Sequence, residues 1–139
     1  SFNLLNGYLN GRHLGVADSQ YGAEWLSDPR FLIGMVVFVV GFGINQHSDA
    51  VLFRLRGPGE SGYKIPHGGV YRWVSCPNYF GEILEWIGFA IAVWSWAGAY
   101  FAIWTAANLV PRAIAHHRWY RETFDDYPSE RKAIFPFFV

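Results

Sequence analysis

At residues 78–86 the chain reads NYFGEILEW, and this stretch opens the longest apolar run of the sequence. Asn78, Glu82 and Glu85 stand at offsets of four and seven, so a helix places them on one face. A carboxylate deep in a bilayer costs about 2.5–3.5 kcal/mol even on a lenient insertion scale. Such a stripe therefore needs a polar cavity or a protein partner. We predict that this helix forms one wall of a binding site.

Composition indicates the class of protein around that helix. The 139 residues suffice for one domain, 1–139, and are 52% hydrophobic and 16% charged, against a usual charged fraction of about 25%. Phe31–Ile44 is uncharged, and Ile83–Val110 carries only Glu85. Since one membrane span needs about 20 residues, the second run predicts a tight helical hairpin that continues into the interface. The sequence indicates an all-α, polytopic integral membrane bundle, and its zero net charge argues against a nucleic-acid partner.

Local signals predict the bounds of four segments. Asp28 and Pro29 suit the cap and first position of a helix that runs through Phe31–Ile44. The segment Ser1–Leu9 looks like the end of an apolar helix, so we expect the chain to be the C-terminal piece of a longer membrane protein. The polar stretch Gly11–Glu24 predicts a loop. Residues from Pro111 to Tyr120 predict a basic aromatic helix after the hairpin.

The basic residues predict the topology. Only Arg12 and Arg30 precede Asp49, and every other lysine and arginine lies in 49–78 or beyond Val110. The positive-inside rule then puts that loop and the C-terminus in the cytoplasm. Three polar stripes converge at this end of the bundle: Asn45, Asp49 and Arg56; Asn78 and Glu82; Arg112, His116 and Tyr120.

The side chains of these stripes indicate the kind of ligand. Guanidinium forks suit phosphates, while carboxylates and amides suit ribose hydroxyls or a carboxamide. The depth of Glu82 and Glu85 predicts that one end of the ligand reaches below the headgroups, where an apolar second substrate enters from the lipid. The residues alone therefore point to a membrane enzyme that acts on a lipid with a nucleotide-like donor.

Other sites suggested by short motifs do not fit. Gly57–Gly62 matches the spacing GxGxxG, but a helix precedes it and Pro58 lies inside it, so we reject a Rossmann fold. The histidines, His47 and His67 among them, lack metal-ligand spacing, so no metal is expected. Cys76 is the single cysteine and is best explained as a small buried residue.

Several longer motifs together carry a family resemblance. They are NxHSD at 45–49, GExxYKIPxGG at 59–69, NYFGEIxEWxG at 78–88, HHRWY at 116–120 and YPxxRK at 127–132. In this order and spacing they closely resemble the steroid 5-alpha-reductases. The similarity runs from about Phe2 to Val139 and covers the C-terminal part of such an enzyme.

That resemblance implies a seven-helix membrane reductase that uses NADPH to saturate the Δ4 double bond of a 3-oxo steroid by hydride transfer. Trp86 matches a position beside the steroid. The family's carbonyl donors, a Glu and a Tyr, belong to its N-terminal helices, so no catalytic residue is assigned here. The implied partners are those helices, membrane lipids and an apolar steroid; the implied location is the endoplasmic reticulum, or the inner membrane in bacteria. The implied NADPH contacts are Asn45, Asp49, Arg56, Tyr63, Asn78, Glu82, Arg112, His116 and Tyr120.

Three alternatives stay open at this point. Membrane methyltransferases for isoprenylcysteine or phospholipids share the helix start Pro77–Glu82, but their S-adenosylmethionine has no phosphates to neutralise. Sterol reductases of the C14 and C7 type share the cofactor and reduce a different double bond. A non-catalytic lipid- or sterol-binding module is the third. Glu85 could take part in the site or form a structural ion pair with an arginine, and the sequence does not decide between the two. Of the two neighbouring histidines, we favour His116 as the site residue and expect His117 to lie at the membrane interface.

Overall fold

The computed structural model describes residues 2–16, 21–55 and 62–136 of the chain. These residues form four α-helices: α1 (Phe2–Val16), α2 (Pro29–Leu55), α3 (Pro77–Val93) and α4 (Trp96–Thr123), with short 3₁₀ turns at Ala23–Ser27 and Gly69–Arg72. The described part of the chain contains no β-strand, only one parallel bridge between Val74 and Lys132. The all-α prediction is confirmed.

The predicted hairpin is present as α3 and α4. Trp94 adopts a left-handed backbone conformation (φ 44°) that reverses the chain after α3. The side chain of Ser95 then caps α4, because its oxygen accepts a 3.0 Å hydrogen bond from the backbone N–H of Gly98. At the start of α2, the carboxylate of Asp28 accepts the backbone N–H of Arg30 at 2.8 Å, which confirms the predicted helix start.

Glycines bring α2 and α3 into direct backbone contact. A Cβ added at Gly88 would lie 2.4 Å from the backbone nitrogen of Phe38, and one at Gly81 would lie 2.5 Å from that of Asn45. On α2, a Cβ added at Gly34 or Gly41 would likewise collide with the backbone of α3. The two helices therefore run antiparallel at the closest possible spacing, and this brings the end of α2 beside the start of α3.

In the described ranges, α2 is the one helix that is long and apolar enough to cross a membrane. Only 17% of its most apolar stretch is buried, and Val36 and Val39 are among its exposed side chains. At 17 residues, α3 is shorter than the about 20 that a span requires. A crossing by the hairpin stays a prediction.

Two boundary predictions are wrong. The segment predicted as a loop, Gly11–Glu24, is helical as far as Val16 and enters a 3₁₀ turn at Ala23. The end of α1 is held in place because His13 shares a 2.8 Å hydrogen bond with the hydroxyl of Tyr21, which donates to the backbone oxygen of Val93 at 2.6 Å.

Pro111 also does not begin a new helix, since α4 continues through it. A proline inside a helix removes one hydrogen bond and crowds the preceding turn, which costs about 3 kcal/mol, so its neighbours must offset that cost. Leu109 and Ala113 on either side of it are buried in the core, so packing keeps the helix continuous.

The C-terminal segment completes the core. Ile134 is fully buried in a cluster with Cys76, Ile83, Leu109 and Ala113, and Phe135 packs its ring on Phe80 at 6.0 Å. The apolar tail therefore packs under the helices as far as Phe135. Backbone hydrogen bonds tie residues 73–76 to 132–133, with Ser75 N–H donating to Lys132 O at 2.8 Å and Cys76 N–H to Ala133 O at 3.1 Å.

Candidate functional site

A cavity of about 1180 Å³ lies where the end of α2, the segment 62–76, the start of α3 and residues 116–120 of α4 meet. Its position follows from the glycine contact of α2 with α3 and from the hairpin that returns α4 to the same end. Five of the predicted cofactor residues line it: Asp49, Tyr63, Asn78, His116 and Tyr120.

Polar hydrogen bonds organise the side of the cavity formed by α2 and α3. The amide of Asn78 donates to the carboxylate of Asp49 at 3.1 Å. The amide of Asn45 donates to the backbone oxygen of Asn78, also at 3.1 Å. Asn45 thus lies behind the wall and fixes the first turn of α3, while Asp49 and Asn78 present an acceptor and a donor to the cavity.

Aromatic rings form the opposite side. The ring of Tyr63 meets that of Trp119 edge to face at 4.9 Å. The ring of Tyr120 stacks on that of Tyr127 with 5.4 Å between centroids and 15° between planes. His116 is exposed and tilts toward the ring of Tyr79 at 6.1 Å.

Three further predicted residues, Glu82, Arg112 and Trp86, lie outside this wall. Glu82 is half-buried one turn beyond Asn78, and Arg112 is exposed one turn before His116. Trp86 lies between α3 and α4, with its ring 4.2 Å from that of Phe101. Arg56 falls outside the described residues.

Glu85 lies where α3 meets α2, and its backbone nitrogen is 2.6 Å from the position of a Cβ on Gly41. Among the described residues it forms no ion pair with an arginine. The ion pair with an arginine is therefore absent from the described residues, and the site role of Glu85 stays a hypothesis.

Sequence reasoning missed a buried cation behind the wall. Arg131 is 4% exposed; its Nη2 lies 3.3 Å from Nδ1 of His67, and its guanidinium lies 5.2 Å from the ring centre of Tyr127. Its Nε and Nη1 have no hydrogen-bond acceptor within the described ranges. Burial raises the pKa of Tyr71 in the cavity wall, and the charge of Arg131 partly opposes that rise. The motif YPxxRK contained Arg131, but nothing in its local sequence indicates burial.

Sequence reasoning also missed the buried hydroxyl of Ser75. This oxygen lies 2.6 Å from Nδ1 of His117 and 2.6 Å from the hydroxyl of Tyr127, and it donates to the backbone oxygen of Lys132 at 3.1 Å. His117, predicted to be interfacial, is instead half-buried against Ser75. Burial, then the charges of Arg121 and Lys132, lower the pKa of His117.

Comparisons with known proteins identify the family of the chain. The family model described as 3-oxo-5-alpha-steroid 4-dehydrogenase matches residues 1–139. The chain is 53% identical to Steroid 5-alpha-reductase DET2 of Gossypium hirsutum, over 98% of its length and 53% of that protein. It is 51% identical to 3-oxo-5-alpha-steroid 4-dehydrogenase 1 of Bos taurus (99% and 53%) and 50% identical to the Homo sapiens protein of that name (98% and 52%). The chain spans about half the length of these relatives, and it belongs to the 3-oxo-5-alpha-steroid 4-dehydrogenase family.

Proposed function

We propose that this chain forms the cofactor-binding part of an integral membrane reductase that uses NADPH to saturate the Δ4 double bond of 3-oxo steroids. The observation that carries the proposal is the cavity. Five residues that the sequence predicts as cofactor contacts line it, and they come from three separate helices and a loop. Family membership supports the reaction, since its relatives are named for it.

The residues at the cavity fit an anionic dinucleotide. The cavity has a volume of about 1180 Å³, which exceeds the roughly 300–1,000 Å³ of a pocket that holds a drug-sized ligand. A buried guanidinium with two unpartnered nitrogens, as in Arg131, is costly without an anion nearby. Arg131 lies behind the wall and does not line the cavity, but its charge acts on Tyr71 in the wall. This buried positive charge supports a phosphate-bearing donor over S-adenosylmethionine, which has no phosphates.

Each wall would hold a different part of the cofactor. Asp49 and Asn78 offer an acceptor and a donor for ribose hydroxyls or the carboxamide, and Asn45 keeps Asn78 in place. His116, Tyr120 and Tyr63 supply donors and ring faces on the other side. We assign Arg56, Glu82 and Arg112 to the same cofactor from the family resemblance.

When bound, NADPH supplies the hydride for the steroid β-carbon. The chain's own residues bind and orient the cofactor, and Trp86 supplies an apolar surface for the steroid. Negative charge develops on the 3-oxo group during transfer, and hydrogen-bond donors must stabilise it. We place those donors, a Glu and a Tyr, in N-terminal helices of the same protein.

The setting we propose is a seven-helix bundle in the endoplasmic reticulum of a eukaryote or the inner membrane of a bacterium. The C-terminus and the cavity face the cytoplasm, where NADPH is found, and the steroid arrives from the lipid. The exposed apolar side chains of α2 support contact with lipid or with further helices.

Binding of NADPH to the detergent-purified product of the full coding sequence tests this function, with S-adenosylmethionine in parallel. Asn78→Ala removes a cavity residue. Asn108→Ala is the matched control, because Asn108 is exposed on α4 and donates a 2.8 Å hydrogen bond to Trp104 O within the same helix. We expect NADPH binding that Asn78→Ala weakens about tenfold and Asn108→Ala leaves unchanged.

Other results would select the alternatives. Binding of S-adenosylmethionine alone would favour a methyltransferase. NADPH binding with reduction of a C14 or C7 sterol double bond, and none of a Δ4-3-oxo steroid, would favour those reductases. Sterol binding without either cofactor would favour a binding module.

A further inference from the structure

We propose that Ser75 is a positioning residue that fixes the ring of Tyr120 in the cavity wall through Tyr127. This inference rests on the proposed function, because it concerns the same cavity. It assigns a role to two residues, Ser75 and Tyr127, that have no place among the predicted cofactor contacts.

The hydrogen bonds of Ser75 form a complete set. A serine hydroxyl has one proton and two lone pairs. With its proton on the backbone oxygen of Lys132, both lone pairs accept, one from the hydroxyl of Tyr127 and one from Nδ1–H of His117. Ser75 is 4% exposed and Tyr127 is 8% exposed, so loss of the hydroxyl would leave buried polar groups without partners.

The link from Tyr127 to the cavity is a stack of rings. Tyr127 lies nearly parallel to Tyr120, with 5.4 Å between centroids and 15° between planes. The ring of Phe124 also stacks on that of Tyr120, at 5.9 Å and 29°. Because a phenolic O–H prefers the plane of its ring, the hydrogen bond from Tyr127 to Ser75 favours one plane for the Tyr127 ring, and the ring of Tyr120 stacks against that plane.

Backbone hydrogen bonds separate this role from folding. The bonds of Ser75 N–H to Lys132 O and of Lys132 N–H to Trp73 O, at 2.8 and 2.9 Å, do not involve the serine side chain. Removing the hydroxyl therefore leaves the C-terminal segment attached to the loop. The expected effect falls on ring orientation and on cofactor affinity.

The first experiment measures NADPH affinity for Ser75→Ala, Ser75→Thr, Tyr127→Phe and the double variant Ser75→Ala/Tyr127→Phe. Tyr127→Phe keeps the stacked ring and lies outside the cavity lining, so it separates positioning from any direct contact of Ser75 with the cofactor. We expect each single loss to raise the Kd of NADPH about fivefold, the double variant to be no weaker than either, and Ser75→Thr to stay within twofold. Additive losses, or an unchanged Kd with a lowered Tm, would overturn the proposal.

The second experiment needs no cofactor. In protein labelled with 3-fluorotyrosine, the ¹⁹F resonance of Tyr120 is identified by its disappearance in Tyr120→Phe. We expect Ser75→Ala to shift or broaden this resonance and Ser75→Thr to leave it in place. If NADPH binds but the resonance is unmoved in Ser75→Ala, the positioning role is wrong and the proposed function stands. If the resonance moves but wild-type protein binds no NADPH, the function is wrong and the positioning role stands.

Discussion

The side-chain amide of Asn78, in the first turn of α3, donates a 3.1 Å hydrogen bond to the carboxylate of Asp49, near the end of α2. The two residues are far apart in sequence and meet only because glycines let α2 and α3 touch. The pair is a donor and an acceptor held side by side in the cavity wall. Exchanging the two residues tests whether the cavity wall needs the donor at 78 and the acceptor at 49.

We expect Asn78→Asp to weaken NADPH binding about five- to tenfold, because it replaces a hydrogen bond of about 1–1.4 kcal/mol by two facing carboxylates. Asp49→Asn keeps an acceptor and should lose less. The double exchange Asp49→Asn/Asn78→Asp restores one amide–carboxylate pair and should recover part of the affinity. Isothermal titration measures all three, and a double variant weaker than Asn78→Asp alone would contradict the pairing.

The glycine contact predicts a difference between two alanine substitutions. Gly88→Ala should destabilise the protein by about 1–3 kcal/mol, because its Cβ would lie 2.4 Å from the backbone nitrogen of Phe38. Gly43, in α2, has no atom within 4 Å of an added Cβ. Gly43→Ala should therefore stabilise by about 0.5–1 kcal/mol. Thermal unfolding in detergent compares them, and equal Tm values would argue against close helix contact.

His117 predicts loss of stability in acid. Its folded pKa is lowered by burial and by Arg121 and Lys132, so between the folded pKa and the unfolded value of about 6.5 the unfolded chain binds more protons. The free energy of unfolding should therefore fall as the pH drops below about 6.5. His117→Asn, which keeps an amide near Ser75 and cannot titrate, should reduce that slope. Chemical unfolding between pH 5 and 8 measures how the free energy of unfolding depends on pH. If His117→Asn leaves that dependence unchanged, His117 is not its cause.

Cys76 predicts slow alkylation. Burial raises the pKa of its thiol to about 12, and the residue is 6% exposed, so little thiolate is present at pH 8. N-ethylmaleimide should react slowly with native protein and rapidly after unfolding in detergent and urea. Because Cys76 lines the cavity, NADPH should slow the native reaction further. Rapid native labelling would show that this wall opens readily.

Trp86 predicts an effect on the steroid alone. Trp86→Phe keeps an aromatic ring beside Phe101 but removes part of the apolar surface, so the KM of the steroid should rise about tenfold and the Kd of NADPH should not change. Trp96→Phe is the control, since Trp96 is 92% exposed at the start of α4. A matching rise in both variants would indicate a general effect of losing a tryptophan.

The parts of the fold that sequence reasoning predicted are those set by local signals. Asp28 and Pro29 predicted the start of α2, and an apolar run too long for one span predicted the α3–α4 hairpin. The continuity of α4 through Pro111 depends on tertiary packing at Leu109 and Ala113, which no local pattern reports. The end of α1 depends on a contact of Tyr21 with Val93, far along the chain.

The residues of the candidate site also divide into those that sequence patterns predicted and those that depend on tertiary packing. Helical spacing predicted that Asp49, Asn78, His116 and Tyr120 share an end of the bundle, and they line one cavity. Spacing places a residue on a face but does not say how far the cavity extends, so Glu82 and Arg112 share those faces and lie outside the wall. Arg131 and Ser75 belong to the tail and a loop, where no period applies.

The order in which the chain is synthesised gives the bridge between Val74 and Lys132 a further consequence. Residues 73–76 leave the ribosome long before their hydrogen-bond partners at 132–133, and the space that Ile134 fills in the core stays empty until that segment emerges. A ribosome that stops before residue 132 would release all four helices without the segment that packs against them. Quality control in the cell would then meet truncated chains whose helices are complete but whose shared core is unfilled.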